Sequence, residues 1–137
     1  MSNTLRKSEI LRGRKKIREI FESGERFQST SLRCSTIVSR AASDNSKPRV
    51  CVGFAVSSAV RRAVDRNRLK RLMREAYRLN RDTLLRPVER SVNDVEVMFI
   101  CLPNMNTNVR KISFHDIQAD MTAILLSIVH RWFEAQE

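Results

Sequence analysis

Residues 53–79 read GFAVSSAVRRAVDRNRLKRLMREAYRL, and two periodicities meet in them. The first begins a little earlier, at Arg49. Over 49–57, Val50, Val52, Phe54 and Val56 share one face, while the small residues Cys51, Gly53 and Ala55 occupy the other. That alternation is a strand whose second face lets another element approach closely. After a short basic loop the period changes. At about 100° per residue, Leu69, Leu72, Met73 and Ala76 fall within one arc. Lys70, Arg71, Arg74, Arg78 and Arg81 fall opposite, with Asn67 among them and Arg66 and Arg68 near the borders. The result is an amphipathic helix whose polar face is almost wholly cationic, with Glu75 placed to pair locally with Arg71 and Arg78. Its Leu/Met stripe docks the helix, and its cations remain for a partner.

Working outward, residues 14–24 predict a short helix with Ile17, Ile20 and Phe21 on one face. Gly13 marks its start, and Gly24 is placed to stop it in the left-handed conformation. Residues 31–39 predict a strand, 43–48 a turn, and a further short strand fits within 24–48. Pro87 is expected to end any extension of the basic helix. Residues 94–102 alternate through Val95, Val97, Phe99 and Cys101 as a strand, 103–111 read as a polar loop, and 113–133 as a long helix. Ser113 and Asp116 form a capping pair at its start, and Ile117, Met121, Ile124, Leu125, Ile128 and Trp132 form its apolar stripe. This order predicts one α/β (α+β) sandwich, a small sheet with packed helices, in a single domain over 1–137. Residues 1–12 read as a flexible basic arm.

The formal net charge is +11, which calls for a polyanionic partner. The charge is concentrated. Residues 5–18 carry +6 and residues 61–81 carry +7, so the rest of the chain is slightly acidic. The preference for arginine over lysine suits bidentate phosphate contacts and stacking on bases. Residues 1–16 lack a following apolar segment of the secretory type. The apolar stretch 124–129, like every other in the sequence, is too short to span a bilayer. Cys34, Cys51 and Cys101 are odd in number and sit in strand-like sequence, which favours free thiols in a reducing cytoplasm.

No catalytic apparatus is legible. His115 and His130 lack partners at metal-ligand spacing. Three glycines make no phosphate-binding loop, and the scattered carboxylates do not suggest a two-metal nuclease site. The residues describe a nucleic-acid-binding surface, with DNA and RNA both open on composition alone.

The arrangement over 53–79 resembles the bacterial ribonuclease P protein family, which has a strand ending in Val-Ser, a basic loop, then A-V-x-R-N-R-x-K-R-x-x-R-E on a helix. Ala63, Val64, Arg66, Asn67, Arg68, Lys70, Arg71, Arg74 and Glu75 match it. The resemblance covers most of the chain and weakens after about residue 102. It implies a ribosomal-protein-like fold with a small mixed sheet, in which the Arg-rich helix links two parallel strands by a left-handed crossover. It implies an accessory subunit of the ribonucleoprotein that removes the 5′ leader of precursor tRNA, with Mg²⁺ carried mainly by the RNA. The implied partners are the catalytic RNA and precursor tRNA, with neither a membrane nor a protein partner required. It assigns RNA contacts to Arg66, Arg68, Lys70, Arg71 and Arg74 and gives Asn67 either the helix start or a hydrogen bond to RNA, and the neighbouring Arg61 and Arg62 are added to the RNA-binding set. It sets Arg14, Ile17, Phe21 and Ser57 along a cleft for the leader between the first helix and the sheet, with Phe21 either a stacking aromatic or a plain core residue. Three departures stand out. Ser58 and Ala59 replace frequent lysines, with Arg61 and Arg62 following them. Ile17 and Ser35 stand where aromatics are frequent. The charge pattern by itself equally fits a structural RNA-binding protein, such as a ribosomal protein or RNA chaperone. A protein-only nuclease is the third reading, and it would require the purified chain to cleave precursor tRNA without RNA.

Overall fold

The structure, a computed structural model, describes residues 5–41, 47–103 and 108–134. Its regular elements are α1 (Arg14–Ser23), β1 (Glu25–Gln28), β2 (Leu32–Arg40), β3 (Val50–Val56), α2 (Ala63–Glu89), β4 (Asn93–Cys101) and α3 (Phe114–Val129), with a π-helical turn over His130–Glu134. Most of the turn predicted over 43–48 lies outside the described residues, and the predicted loop 103–111 contains a 3₁₀ turn, Val109–Lys111. The short strand allowed for within 24–48 is β1.

The four strands form one mixed sheet in the order β1-β2-β4-β3. β1–β2 and β2–β4 are antiparallel, and β3 pairs with β4 in parallel, Val52 opposite Val97 and Phe54 opposite Phe99. The β3–α2–β4 unit therefore joins neighbouring parallel strands, as the resemblance implies. Strand alternation sorts the two faces. Val50, Val52, Val95, Val97, Phe99 and Cys101 meet α2 and α3 in the main core. Met98, on the other face of β4, packs with Leu11 and Ile20 beneath α1. α3 begins with the predicted capping pair: Ser113 Oγ accepts from the Asp116 N–H at 3.1 Å, and Asp116 accepts from the Ser113 N–H at 2.9 Å.

α2 runs two residues past Pro87 instead of ending there. A proline in the last turn forfeits only one bond, to the carbonyl four residues back. Leu84 and Val88, both fully buried, keep that turn packed. At 1.5 Å per residue α2 is about 40 Å long, and its buried side is Leu69, Met73, Ala76, Tyr77, Leu84 and Val88. Gly24 is not left-handed, with φ −74° and ψ 152°. It is small because α1 ends against β2, where a Cβ on Gly24 would lie 2.5 Å from the Ile20 carbonyl and 3.0 Å from the Thr36 nitrogen. Gly13, with φ 93°, is the residue that needs glycine's backbone freedom.

The arm expected over 1–12 is not free from Lys7 onward. A 3₁₀ turn over Lys7–Glu9 leads into Ile10, which bridges Val52 in parallel, and the Leu11 N–H donates to the Val52 carbonyl at 2.8 Å. Leu11 is buried under α1. The arm thus lies along the free edge of β3.

Candidate nucleic-acid interface

The loop from β3 into α2 is wound tightly. The Ser57 N–H donates to the Cys101 carbonyl, the Val60 N–H to the Ser57 carbonyl, and Ser57 Oγ accepts from the Ala59 N–H at 3.2 Å. Val60 is buried and anchors the turn. The Arg66 guanidinium reaches back past the start of α2 and donates to the carbonyls of Val60 at 2.9 Å and Arg61 at 2.6 Å. That contact fixes the chain immediately before the exposed cations Arg61 and Arg62.

Arg68 does the same for a distant segment. Its guanidinium donates to the Val109 carbonyl at 3.3 Å and the Ile112 carbonyl at 2.6 Å. It ties the second turn of α2 to the connection between β4 and α3. Arg66 and Arg68, both expected among the outward RNA contacts, are half-buried and spend donors on backbone carbonyls. Each guanidinium has five N–H groups in a fork, so neither is fully spent.

The outward cations are elsewhere. Among the described residues, the side chains of Arg61, Arg62, Asn67, Lys70, Arg71 and Arg74 are exposed and make no hydrogen bond or ion pair. Arg78 pairs with Glu75, so that carboxylate holds Arg78 and leaves Arg71 unpaired. The Arg78 hydrogen bond in turn holds the Glu75 carboxyl below its ordinary value. Arg81 is withdrawn from the cationic face and bound to Glu9 through two hydrogen bonds of 2.8 and 3.1 Å. On the N-terminal basic segment, Lys16 is matched by Glu96 at 3.1 Å. What remains of the α2 face is a continuous row without a carboxylate partner among the described residues.

That row borders a cleft. A cavity of about 440 Å³ lies between α2, the edge of β3 and the segment 10–17, lined by Ile10, Leu11, Ile17, Gly53, Phe54, Asn67, Lys70, Arg71, Arg74 and Met98. One wall is apolar and the other cationic, a combination suited to a strand with bases on one side and phosphates on the other. Of the four residues expected along a cleft, Ile17 lines this one. Phe21 is half-buried in the small core with Leu11, Ile20 and Met98. Arg14 is exposed on the first turn of α1, and Ser57 shapes the turn after β3. Ser35 is buried beneath Gly24, so it lines no opening.

The aromatic at the cleft is Phe54. Its ring stacks on Phe99 with centroids 5.8 Å apart and 13° between planes, and Tyr77 lies 6.2 Å away. Alternation along β3 marks Phe54 only as a core residue. Its exposure follows from β3 being the sheet's edge, which the sequence does not reveal. Ile10 and Leu11 carry no signal of their own either, because they line the cleft only once the N-terminal segment adds to that edge.

Among the described residues, no group of three or more His, Cys, Asp or Glu side chains is arranged to hold a metal ion. None of their helices is long and apolar enough to cross a membrane. Cys34, Cys51 and Cys101 are free thiols, and burial pushes Cys34 and Cys101 up to about 11.

Fold and surface together define a basic α+β protein with a cationic helix flanking a half-apolar cleft. A family model described as Ribonuclease P matches residues 5–129. The chain belongs to the ribonuclease P protein family. Curated relatives named ribonuclease P protein component are 42% identical over 86 residues in Chlorobaculum tepidum and 46% over 85 in Chlorobium phaeobacteroides. These matches cover 62% and 60% of this chain, and span just over half of the relatives' own lengths, 56% and 57%. The fold is similar to the RNase P protein from Thermotoga maritima, with TM-score 0.64 and 21% identity over 85% of this chain and 94% of that one. It is similar also to that of Staphylococcus aureus, with TM-score 0.63 and 16% identity over 89% and 96%.

Proposed function

We propose that this chain is the protein subunit of a ribonuclease P ribonucleoprotein acting in the cytoplasm. In this reading it holds the catalytic RNA through the exposed face of α2 and guides the 5′ leader of precursor tRNA along the cleft. The observation that carries it is the juxtaposition of Asn67, Lys70, Arg71 and Arg74, without a carboxylate partner among the described residues, with an apolar wall that includes Phe54. A polyphosphate backbone supplies the missing counter-charge, and an unpaired base can rest on the aromatic edge. The chain's described residues do not form a cage for Mg²⁺. In this reading the RNA carries the ion, and this protein's part is to bind, orient and reduce repulsion between phosphates.

The test is cleavage of precursor tRNA by the catalytic RNA at low Mg²⁺, with and without this protein. Addition of the protein is expected to restore cleavage, and Arg71→Ala/Arg74→Ala to lose that effect without a change in melting temperature. With about six phosphates neutralised, log K falls against log salt with a slope of roughly −4 to −5. Phe54→Leu is expected to weaken binding of substrates with a leader and spare leaderless ones. Recovery of ribosomal RNA in place of one folded RNA from a pull-down would reject this reading in favour of a structural RNA-binding protein.

A further inference from the structure

The turn at 109–111 carries Arg110 and Lys111, both exposed and, among the described residues, without an ion-pair partner. The Arg68 guanidinium brackets this dipeptide, with one bond to the carbonyl before it and one to a carbonyl just after it. Asn108 closes the same turn, its Oδ1 accepting from the Arg110 N–H at 3.0 Å. On the far side, Ile112 is buried and Ser113 caps α3, so the turn is pinned at both ends. The carboxylate nearest in sequence, Asp116, is engaged with the Ser113 N–H.

Arg68 lies at the border of the α2 face. By helical geometry it is about 100° from Asn67 and 60° from Arg71. The cleft flanks that face through Asn67, Lys70, Arg71 and Arg74, and the 109–111 turn flanks it on the Arg68 side. Arg66 holds the segment before Arg62 in the same manner, by two backbone carbonyls. Each arginine of the Arg-Asn-Arg triplet therefore holds a backbone segment that presents two further cations.

We propose that Arg110 and Lys111 form a second phosphodiester-binding element, and that Arg68 is the positioning residue that presents it beside α2. The ligand is the phosphate backbone of the same folded RNA that α2 grips, so the inference rests on the function proposed above. Arg68 acts through the turn, and its own charge is secondary. A guanidinium fork can span two carbonyls where a lysine ammonium, a point donor, cannot hold the same geometry.

The experiment is filter binding of the full chain to a ribonuclease P RNA transcript across a salt series. Arg110→Ala/Lys111→Ala changes only exposed side chains and is expected to keep the parent melting curve. It is expected to weaken binding about tenfold at 0.1 M salt and to flatten the salt slope by about 1 to 2. Arg68→Lys keeps the charge and is expected to flatten the slope by a similar amount. Added to the double variant, it is expected to cost little more, because the two act as one unit. If Arg68→Lys keeps the parent slope, or its effect adds fully to that of the double variant, the positioning role is overturned. If Arg71→Ala/Arg74→Ala weakens binding while Arg110→Ala/Lys111→Ala does not, the second element is overturned and the functional reading survives. If Arg71→Ala/Arg74→Ala leaves binding unchanged, the functional reading fails and takes the inference with it.

Discussion

A methyl group at Gly24 would press on backbone, and one at Gly53 on a side chain. At Gly24 the obstacles are the Ile20 carbonyl and the Thr36 nitrogen, neither of which can turn aside. At Gly53 the obstacle is the Met98 thioether, which has rotatable bonds to spend. Gly24→Ala is therefore expected to cost about 1–3 kcal/mol as an overpacked site, and Gly53→Ala less. Urea unfolding of the two variants checks the order, and an equal or reversed order would refute the close-approach account. The two glycines differed in legibility. Gly53 announces itself, because the small face Cys51, Gly53, Ala55 asks for a close neighbour. Gly24 follows a helix and so looks like a left-handed cap. Only the docking of α1 on β2 gives it a different reason to be small. Arg66 and Arg68 have a second role that the sequence hides, since composition marks them only as cations and their carbonyl partners lie five to forty-four residues away.

Helices show what local sequence can specify. α3 starts where Ser113 and Asp116 say it should, because a capping box is complete within four residues. The Ser113 backbone N–H, then its hydroxyl, hold the Asp116 carboxyl below its ordinary value. A carboxyl depressed in the folded state adds stability that is present above its unfolded pKa and lost as pH falls through the folded one. Asp116→Asn is thus expected to be less stable than the parent at neutral pH, and the two to converge in acid below the depressed value. Thermal melts from pH 7 down to pH 2 measure this, and a gap independent of pH would contradict it. Ser113→Ala is expected to cost about 0.5–2 kcal/mol. α2 was legible in its two faces but not in its length. Its stripe continues through Leu84 and Val88, and a proline in a final turn is a weaker stop than one in the interior. α1 was legible as a helix, yet nothing local says that it crosses the sheet face opposite α2 and α3.

At the scale of the molecule, the N-terminal segment makes the cleft a cleft. Ile10 and Leu11 supply its wall only because Leu11 bonds to Val52 and Glu9 is clasped by Arg81 on the far half of α2. The Glu9 and Arg81 side chains are 23% and 13% exposed, so their two hydrogen bonds are largely shielded from water. Removing one partner leaves the other charge uncompensated in that setting, a loss of about 1–3 kcal/mol for hydrogen bonds to charged groups. That interaction joins residues 72 apart in sequence, which is why the arm reads as free when taken alone. Glu9→Gln is expected to speed hydrogen exchange at the Leu11 amide before it affects the β2–β4 ladder, because the arm's edge pairing opens locally while the central strands open only with the whole fold. On the function proposed above, it is then expected to weaken binding of precursor tRNA with a leader and to leave the catalytic RNA bound as before, because Arg71 and Arg74 stay on α2. Exchange at Leu11 unchanged from the parent would show that the ion pair does not hold the arm. Fast exchange with undiminished leader binding would show that the arm does not form the wall that matters.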